Sequence, residues 1–408
     1  MKVSKQRSIE LRNQLLNATA GELCRVGYEA LALTSVASAC NLATSAIYNR
    51  FPTKQALVSA LVDERLENDL GRQMDQDQTN WWLADPSMPR FFPDLSVLAE
   101  LLMATMQTND LEESVRYFVA YRTATALYAR KQADDLGKVR KSQDQFTQVM
   151  LRYNFWLGSY AMSLVTPPPT NGLRGVDDLM RMAVMNIDPT TPLTKEPRSV
   201  RRKPLDEKEF VHIGLDSLGD RLVDAAAEVF SERSYESASV TEIARRAKLT
   251  TGAIYNRFTG KAGLMSEVLL RGAVDAVAAS EDLTRRLLAQ PRIAAAAIAE
   301  FVDGTRPDIA AERHLRLSAR DASRREPEVR NALIPLRTRE LVCVANVVAE
   351  AQSEGSIRPD VDPEGLAWFI MSASAGLPLV GWAFPDLPTH NWIDVFAHFF
   401  AAVRTHPK

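Results

Sequence analysis

The hexapeptide AIYNRF, Ala46-Ile47-Tyr48-Asn49-Arg50-Phe51, recurs letter for letter at 253–258 as Ala253-Ile254-Tyr255-Asn256-Arg257-Phe258, 207 residues further along the chain. Sliding the sequence by that distance aligns residues 13–57 with 220–264 without a gap. Seventeen of the 45 pairs are identical, among them Leu15/Leu222, Ala18/Ala225, Ala20/Ala227, Tyr28/Tyr235, Thr34/Thr241, Ala37/Ala244, Leu42/Leu249 and Lys54/Lys261. A period of about 200 residues is that of a duplicated domain, since solenoid repeats run to tens of residues. Each copy is therefore expected to be a complete folding unit.

Within the copies the apolar residues keep helical spacing. Leu222, Ala225, Ala226, Val229 and Phe230 form the stripe of an amphipathic helix, and Leu15, Ala18, Thr19, Glu22 and Leu23 echo it. Thr34 and Thr241 sit where a hydroxyl can cap a second helix, whose inward side carries Val36-Ala37 or Ile243-Ala244. A short third helix follows Leu42 or Leu249, with Ile47/Ile254 and Phe51/Phe258 four apart on its buried side. Two short helices separated by a tight turn make a helix-turn-helix.

The two segments read TSVASACNLATSAIYNRFPTKQAL (34–57) and TEIARRAKLTTGAIYNRFTGKAGL (241–264). Here the sequence resembles the Tet repressor family, whose N-terminal pattern runs Thr-x-x-x-[Ile/Val]-Ala, then a turn, then Leu-Tyr-x-x-Phe-x-x-Lys-x-x-Leu. The second copy resembles the family further on, through HLRLSARDASRREPEVRNAL (314–333) and EGSIRPDVDPEGLAWFIMSASAGL (354–377). The first copy departs from it there, with a TPPPTNG loop (166–172) and no RPDxDP-like lead-in, so helical pattern and length alone place its C-terminal part.

The resemblance implies that each third helix enters the major groove of double-stranded operator DNA, with no cofactor. Carried over position by position, Thr44, Ser45, Tyr48, Asn49 and Arg50 line that face in copy one, and Thr251, Gly252, Tyr255, Asn256 and Arg257 in copy two. Tyr48/Tyr255 and Thr34/Thr241 offer hydroxyls to phosphates, and Lys54/Lys261 add a charge at a helix start. Asn49/Asn256 suit an adenine edge, and Arg50/Arg257 a guanine edge or a phosphate. The competing reading makes the tyrosines packed core and the arginines solvated surface. Local charge favours DNA: residues 1–57 carry seven Lys/Arg against three Glu, and Arg245, Arg246, Lys248, Arg257 and Lys261 surround the second motif. The Lys/Arg-bearing N-terminal arm reads as further backbone contacts or as a solubilising tail.

Between the copies, DPTTPLTKEPRSVRRKPLDEK (188–208) holds four prolines and six Lys/Arg and reads as a linker. Its Arg198, Arg201, Arg202 and Lys203 read as a solvated run, with DNA contact the alternative. The stretches after each motif are rich in helix formers, so the fold class is all-α. The expected boundaries are a first helix-turn-helix domain over 1–70, a helical body over 71–190, a linker over 191–215, a second helix-turn-helix domain over 216–275 and a second body over 276–408. In the family such a body holds a ligand pocket, and its last helices pair with those of a second subunit. Two bodies in one chain imply an intramolecular pseudo-dimer, with helices near 143–187 against helices near 362–404. The alternative is a two-chain assembly with four DNA-binding modules.

Trp81, Trp82, Phe91, Phe92, Tyr121, Tyr128 and Trp156 in the first body, and His314, Arg320, Trp368 and Met371 in the second, are candidates for lining a pocket that takes a small apolar effector. Core packing is the competing reading for them.

Composition sets the remaining limits. A net charge of −2, with 46% hydrophobic and 25% charged residues, is that of an ordinary globular protein, so any basic surface has to be local. Cys24, Cys40 and Cys343 are too scattered for a disulfide framework or a metal site, which fits a reducing cytoplasm. The first residues lack the apolar stretch of a secretory signal, and the longest uncharged run, Trp368 to Phe384, is broken by Gly376, Pro378 and Gly381 and reads as a buried helix. Five histidines without ligand spacing, and no phosphate-loop or nucleophile-elbow motif, set catalysis aside. The expectation is a DNA-binding transcription regulator, a repressor released by a small molecule, with a ligand-independent architectural DNA binder as the alternative.

Overall fold

The leucine and alanine stripes of the two copies form the long first helices of two modules in a computed structural model. The model describes residues 2–66, 93–105, 142–185, 188, 190–199, 202, 216–293, 295–296, 307–383 and 389–405. The described residues are all-α, with a single isolated bridge, Ile357 to Arg404, outside the helices. None of their helices is long and apolar enough to cross a membrane. The chain divides into two compact units, Met1–Ala84 with Met88–Ala129, and Asp85–Ser87 with Arg130–Lys408.

The first unit holds α1 (Lys2–Val26), α2 (Leu33–Ala39), α3 (Thr44–Tyr48), α4 (Lys54–Ala60), which runs on into a π-helical turn Leu61–Leu66, and α5 (Pro93–Thr105). Helix α1 continues back to Lys2, so the basic arm is its first turns. Leu15, Leu23, Val36, Ile47, Leu57 and Val58 are fully enclosed in the core. Each such aliphatic side chain stabilises the fold by about 1.5–3 kcal/mol through loss of water-exposed surface.

The second unit opens with two helices from the body of the first copy, α6 (Ser142–Ser163) and α7 (Leu173–Met185). The second module follows as α8 (Ser217–Glu232), α9 (Val240–Arg246), α10 (Thr251–Tyr255) and α11 (Lys261–Arg271). Its body comprises α12 (Ala273–Ala289), α13 (Pro307–Ser323), α14 (Pro327–Ser353), α15 (Pro363–Ala383) and α16 (Thr389–Val403). Leu222, Ala225, Ala226, Val229 and Phe230 of α8 are all buried, as their spacing required.

Helix α6 packs along α15, and α7 along α16. Phe369 of α15 sits at the centre, its ring 5.5 Å from Phe155 of α6 and 4.0 Å from Phe399 of α16. The uncharged run from Trp368 lies in this core, with Trp368 and Phe369 fully buried and Trp368 Nε1 donating to Ser159 Oγ. Trp368 and Met371, two of the pocket candidates, are therefore packing residues of this bundle. Trp81, Trp82, Phe91, Phe92, Tyr121 and Tyr128 lie outside the described residues.

The proline-rich segment between the copies is more than a solvated spacer where it is described. Leu193 and Ser199 are buried. The Leu193 amide donates to Asp360 (3.1 Å), the Ser199 amide and hydroxyl donate to Asp362 (2.8 and 2.9 Å), and the Arg202 amide donates to Glu364 (2.7 Å). The acidic side chains of the 358–364 stretch thus collect the backbone amides of a strap that cannot form a helix of its own. Arg202 belongs to this seam, its guanidinium 3.5 Å from Glu364. Arg198 is exposed, and Arg201 and Lys203 lie outside the described residues.

Candidate nucleic-acid interface

The two helix-turn-helix segments are built the same way. Each turn contains one residue in the left-handed region, Asn41 and Lys248, both at φ 56°, and these are aligned positions of the repeat. The next amide returns to the first helix, Leu42 to Ala37 O and Leu249 to Ala244 O, both at 2.9 Å. Each third helix is a single turn anchored by one fully buried isoleucine, Ile47 or Ile254, with the following phenylalanine folding back so that Phe51 and Phe258 donate to the Ile47 and Ile254 carbonyls at 2.8 Å. Phe51 is buried, and Phe258 is partly buried against the core of its module.

Anchoring through one apolar residue leaves the rest of the turn outside. Tyr48 is 47% exposed and Tyr255 61%, which removes the packed-core reading for both. Thr44, Ser45 and Asn49 in the first module, and Gly252, Asn256 and Arg257 in the second, are exposed as well, and Thr251 is partly so. The repeat therefore brings the residues expected on the groove face together on the open side of each third helix. Hydroxyl, amide and guanidinium groups there match the donors and acceptors that phosphates and base edges offer.

Three expectations change. Thr241 does not cap the second helix: Ser239 does, its hydroxyl accepting the Glu242 amide at 3.2 Å. In the first module Ala32 stands at that position with no side-chain cap, and Thr34, like Thr241, is an exposed residue of the first helical turn. The cap falls two residues earlier because Ser239, in extended conformation, is where the helix begins.

The lysines point inward. Lys54 Nζ donates to the carbonyls of Tyr28 (2.9 Å) and Glu29 (3.1 Å) and lies 4.3 Å from the centre of the Tyr28 ring. Lys261 does the same with Tyr235 (2.6 Å), Ala238 (3.1 Å) and the Tyr235 ring (4.2 Å). Burial lowers the Lys261 pKa and raises that of Tyr235. These ammonium groups fasten the turn after the first helix to the fourth helix, contacts that compete with the phosphate contact expected of them. The signal was in the repeat: Tyr28/Tyr235 and Lys54/Lys261 are both identical pairs at one separation.

Two of the five basic residues around the second motif, Arg246 and Arg257, are paired with carboxylates within the protein. Arg246 is paired bidentately with Glu232 (2.7 Å to each oxygen) and also faces Glu228 and Glu242. Arg257 donates through Nε and Nη2 to Asp216, at 3.0 and 2.6 Å, while Asp216 also caps α8 by accepting the Gly219 amide at 2.7 Å. The guanidinium and that amide hold the Asp216 carboxyl down at about 2. In the first module the residue aligned with Asp216 is Ile9, and Arg50 donates to its own helix at the Ala46 carbonyl, 3.0 Å away. Arg245 and Lys248 of the second motif are exposed as well.

Comparison with known proteins follows the same two segments. The model of the bacterial regulatory proteins, tetR family, matches twice, at residues 15–61 and 222–268. The A-factor receptor protein of Streptomyces griseus is 29% identical over 39% of this chain and 53% of its own length. The HTH-type transcriptional regulator SrpR of Pseudomonas putida is 43% identical over 12% of this chain and 23% of its own. The chain thus spans about half or less of the length of the curated relatives it matches. A solved TetR-family transcriptional regulator from Rhodococcus sp. is 19% identical over 46% of this chain and 97% of that one, with a TM-score of 0.36. Two matched segments, coinciding with the two helix-turn-helix modules, show that the chain carries the N-terminal module of the bacterial regulatory proteins, tetR family, twice.

Proposed function

We propose that the chain is a sequence-specific DNA-binding transcription regulator, a repressor released by a small-molecule effector, which reads a pseudo-palindromic operator with two recognition helices of one chain. The observation that carries this reading is the matched exposure of Tyr48-Asn49 and Tyr255-Asn256 on third helices anchored by one buried isoleucine each. Thr34, Thr44, Ser45 and Arg50, with Thr241, Thr251, Gly252 and Arg257, complete the two reading faces. The tyrosine and threonine hydroxyls hold phosphates, and the asparagines and arginines face the base edges.

The pairing of α6 and α7 with α15 and α16 supports the pseudo-dimer. A dimer interface of twofold symmetry makes each contact twice, with roles exchanged. A shift of 218 positions carries Asn154 to Ser372 and Gly158 to Gly376, and Gly158 meets Ser372 while Gly376 meets Asn154. In this reading the surface through which two separate bodies would associate is occupied within one chain.

Footprinting against a genomic library, with affinity followed as a function of salt, tests DNA binding, and light scattering of the free protein and of the complex tests stoichiometry. One chain of 45.3 kDa per operator with two half-sites is the expected result. Absence of any site above non-specific affinity at low salt would sink the DNA reading, and two chains on four half-sites would sink the pseudo-dimer.

A further inference from the structure

We infer that the second body binds a small molecule through an oxyanion, a carboxylate or phosphate group, received by Arg313, Arg320 and Arg337 between α13 and α14. The anion would be the effector of the regulator proposed above, and only that consequence rests on the DNA-binding reading.

Helix α13 places Arg313, Arg316 and Arg320 along one face at spacings of three and seven, and α14 packs against this helix. Arg320 and Arg337 are each only 6% exposed, and Glu340 is 1% exposed. Arg337 Nη1 donates to Glu340, and Arg316 pairs with Glu312. Among the described residues, four guanidinium groups therefore meet two carboxylates. Arg337 Nε and Glu340 Oε1 are buried without a partner, and Glu340 is the carboxylate whose charge reaches Arg320.

A buried cluster in which guanidinium groups outnumber the carboxylates facing them is costly, and Glu340 opposes the charges of Arg337 and Arg316 on Arg320 only in part. The cost is visible in acidity. Burial, then the charges of Arg337 and Arg316, bring Arg320 down to about 9, and burial alone lowers Arg313. The planar donor forks of arginine match carboxylate and phosphate oxygens two at a time. An oxyanion would add negative charge beside Arg320 and use the idle Nε of Arg337. The burial excludes a nucleic-acid backbone and selects a small molecule.

The same helix touches the second DNA-binding module. Helix α13 packs against α8, and Ser318 Oγ donates to the Arg233 carbonyl at the end of that helix, 3.3 Å away. Neutralising one face of α13 thus acts on an element whose other face holds the module, which gives a bound anion a route to the DNA-binding surface.

Thermal unfolding and calorimetric titration of the full chain, without DNA, with sodium benzoate and with sodium phosphate against sodium chloride at fixed ionic strength, test the inference. The expected result is a saturable rise in melting temperature with benzoate or phosphate that chloride does not give and that Arg320→Met abolishes. Benzoate alone identifies a carboxylate site, and phosphate alone a phosphate site. Arg313→Met, at a less buried position, is expected to weaken the same response tenfold or more and serves if Arg320→Met does not fold. No saturable response to either salt, or one that survives both substitutions, overturns the site. Failure of DNA binding with the anion response intact would overturn the regulator reading and leave this site standing.

Discussion

Gly158 and Ser372 touch backbone to backbone: a Cβ on Gly158 would stand 1.8 Å from the Ser372 carbonyl oxygen, and its counterpart on Gly376 would stand 2.0 Å from that of Asn154. No side chain fits at either point, so α6 and α15 approach as closely as two helices can. Gly158→Leu or Gly376→Leu must separate the helices and strip the packing of Phe155 on Phe369. Overpacking ordinarily costs about 1–3 kcal/mol, and backbone-to-backbone contacts with no rotamer to escape into lie at or above the top of that range. The expected outcome is a fall in the denaturant midpoint of the second unit. Unchanged stability in both variants would mean that the crossing is not formed.

The strap gives a second prediction. Asp362 caps α15 through the Gly365 amide (2.9 Å) and receives both the amide and the hydroxyl of Ser199. Asp362→Ala removes the cap, worth about 0.5–2 kcal/mol, and leaves the Ser199 amide in a buried seam without its acceptor, about 1–3 kcal/mol more. Chemical unfolding should register a loss of about 2–4 kcal/mol, and proteolysis should cut the 190–202 segment faster. A loss below the cap value alone would show that the strap does not hold.

These two sites mark how far the sequence could be read. The duplicated hexapeptide, with apolar residues at helical spacing, was enough to place the helix-turn-helix segments, because a single buried isoleucine and its flanking phenylalanine set which side of so short a helix faces out. The strap was not legible in that way: prolines and charges describe a solvated linker equally well, and the carboxylates that pin it, Asp360, Asp362 and Glu364, lie more than 160 residues away in sequence. The inward contacts of Lys54 and Lys261 were not legible for a related reason, since a lysine at a helix start offers the same charge to a phosphate or to backbone carbonyls, and the packing of Tyr28 and Tyr235 is not written in that spacing. Arg320 was named among the pocket candidates of the second body, but Arg313 and Arg337 did not stand out, because composition counts charges without saying which are enclosed.

For the proposed reading faces, Tyr48→Ala and Tyr255→Ala should each weaken operator binding about three- to tenfold, the worth of one hydrogen bond of about 0.5–1.5 kcal/mol. Both side chains are exposed, so stability should move by less than about 0.5 kcal/mol. Melting curves beside mobility shifts make the check. A large drop in melting temperature with affinity per folded molecule retained would return these residues to the core.

The Arg257–Asp216 pair predicts that the two modules differ in how strongly they hold DNA. Arg257 is drawn to a carboxylate at the start of α8, whereas Ile9 leaves Arg50 with no such neighbour at the aligned position. An acid beside the reading face also repels phosphates. Asp216→Asn keeps a side chain able to cap α8 while releasing the guanidinium. It should raise operator affinity several-fold and steepen the dependence of log affinity on log salt by about one phosphate contact. Ile9→Asp should do the reverse in the first module. Acid titration offers an independent check. The Asp216 pKa, about 2, lies below the ordinary aspartate value of 3.8, so the stability it lends is present above pH 3.8 and is lost as pH falls through about 2. Asp216→Asn should flatten that limb of the stability profile. If the substitution instead weakens DNA binding and leaves the salt slope unchanged, Asp216 orients Arg257 toward the groove and does not withhold it.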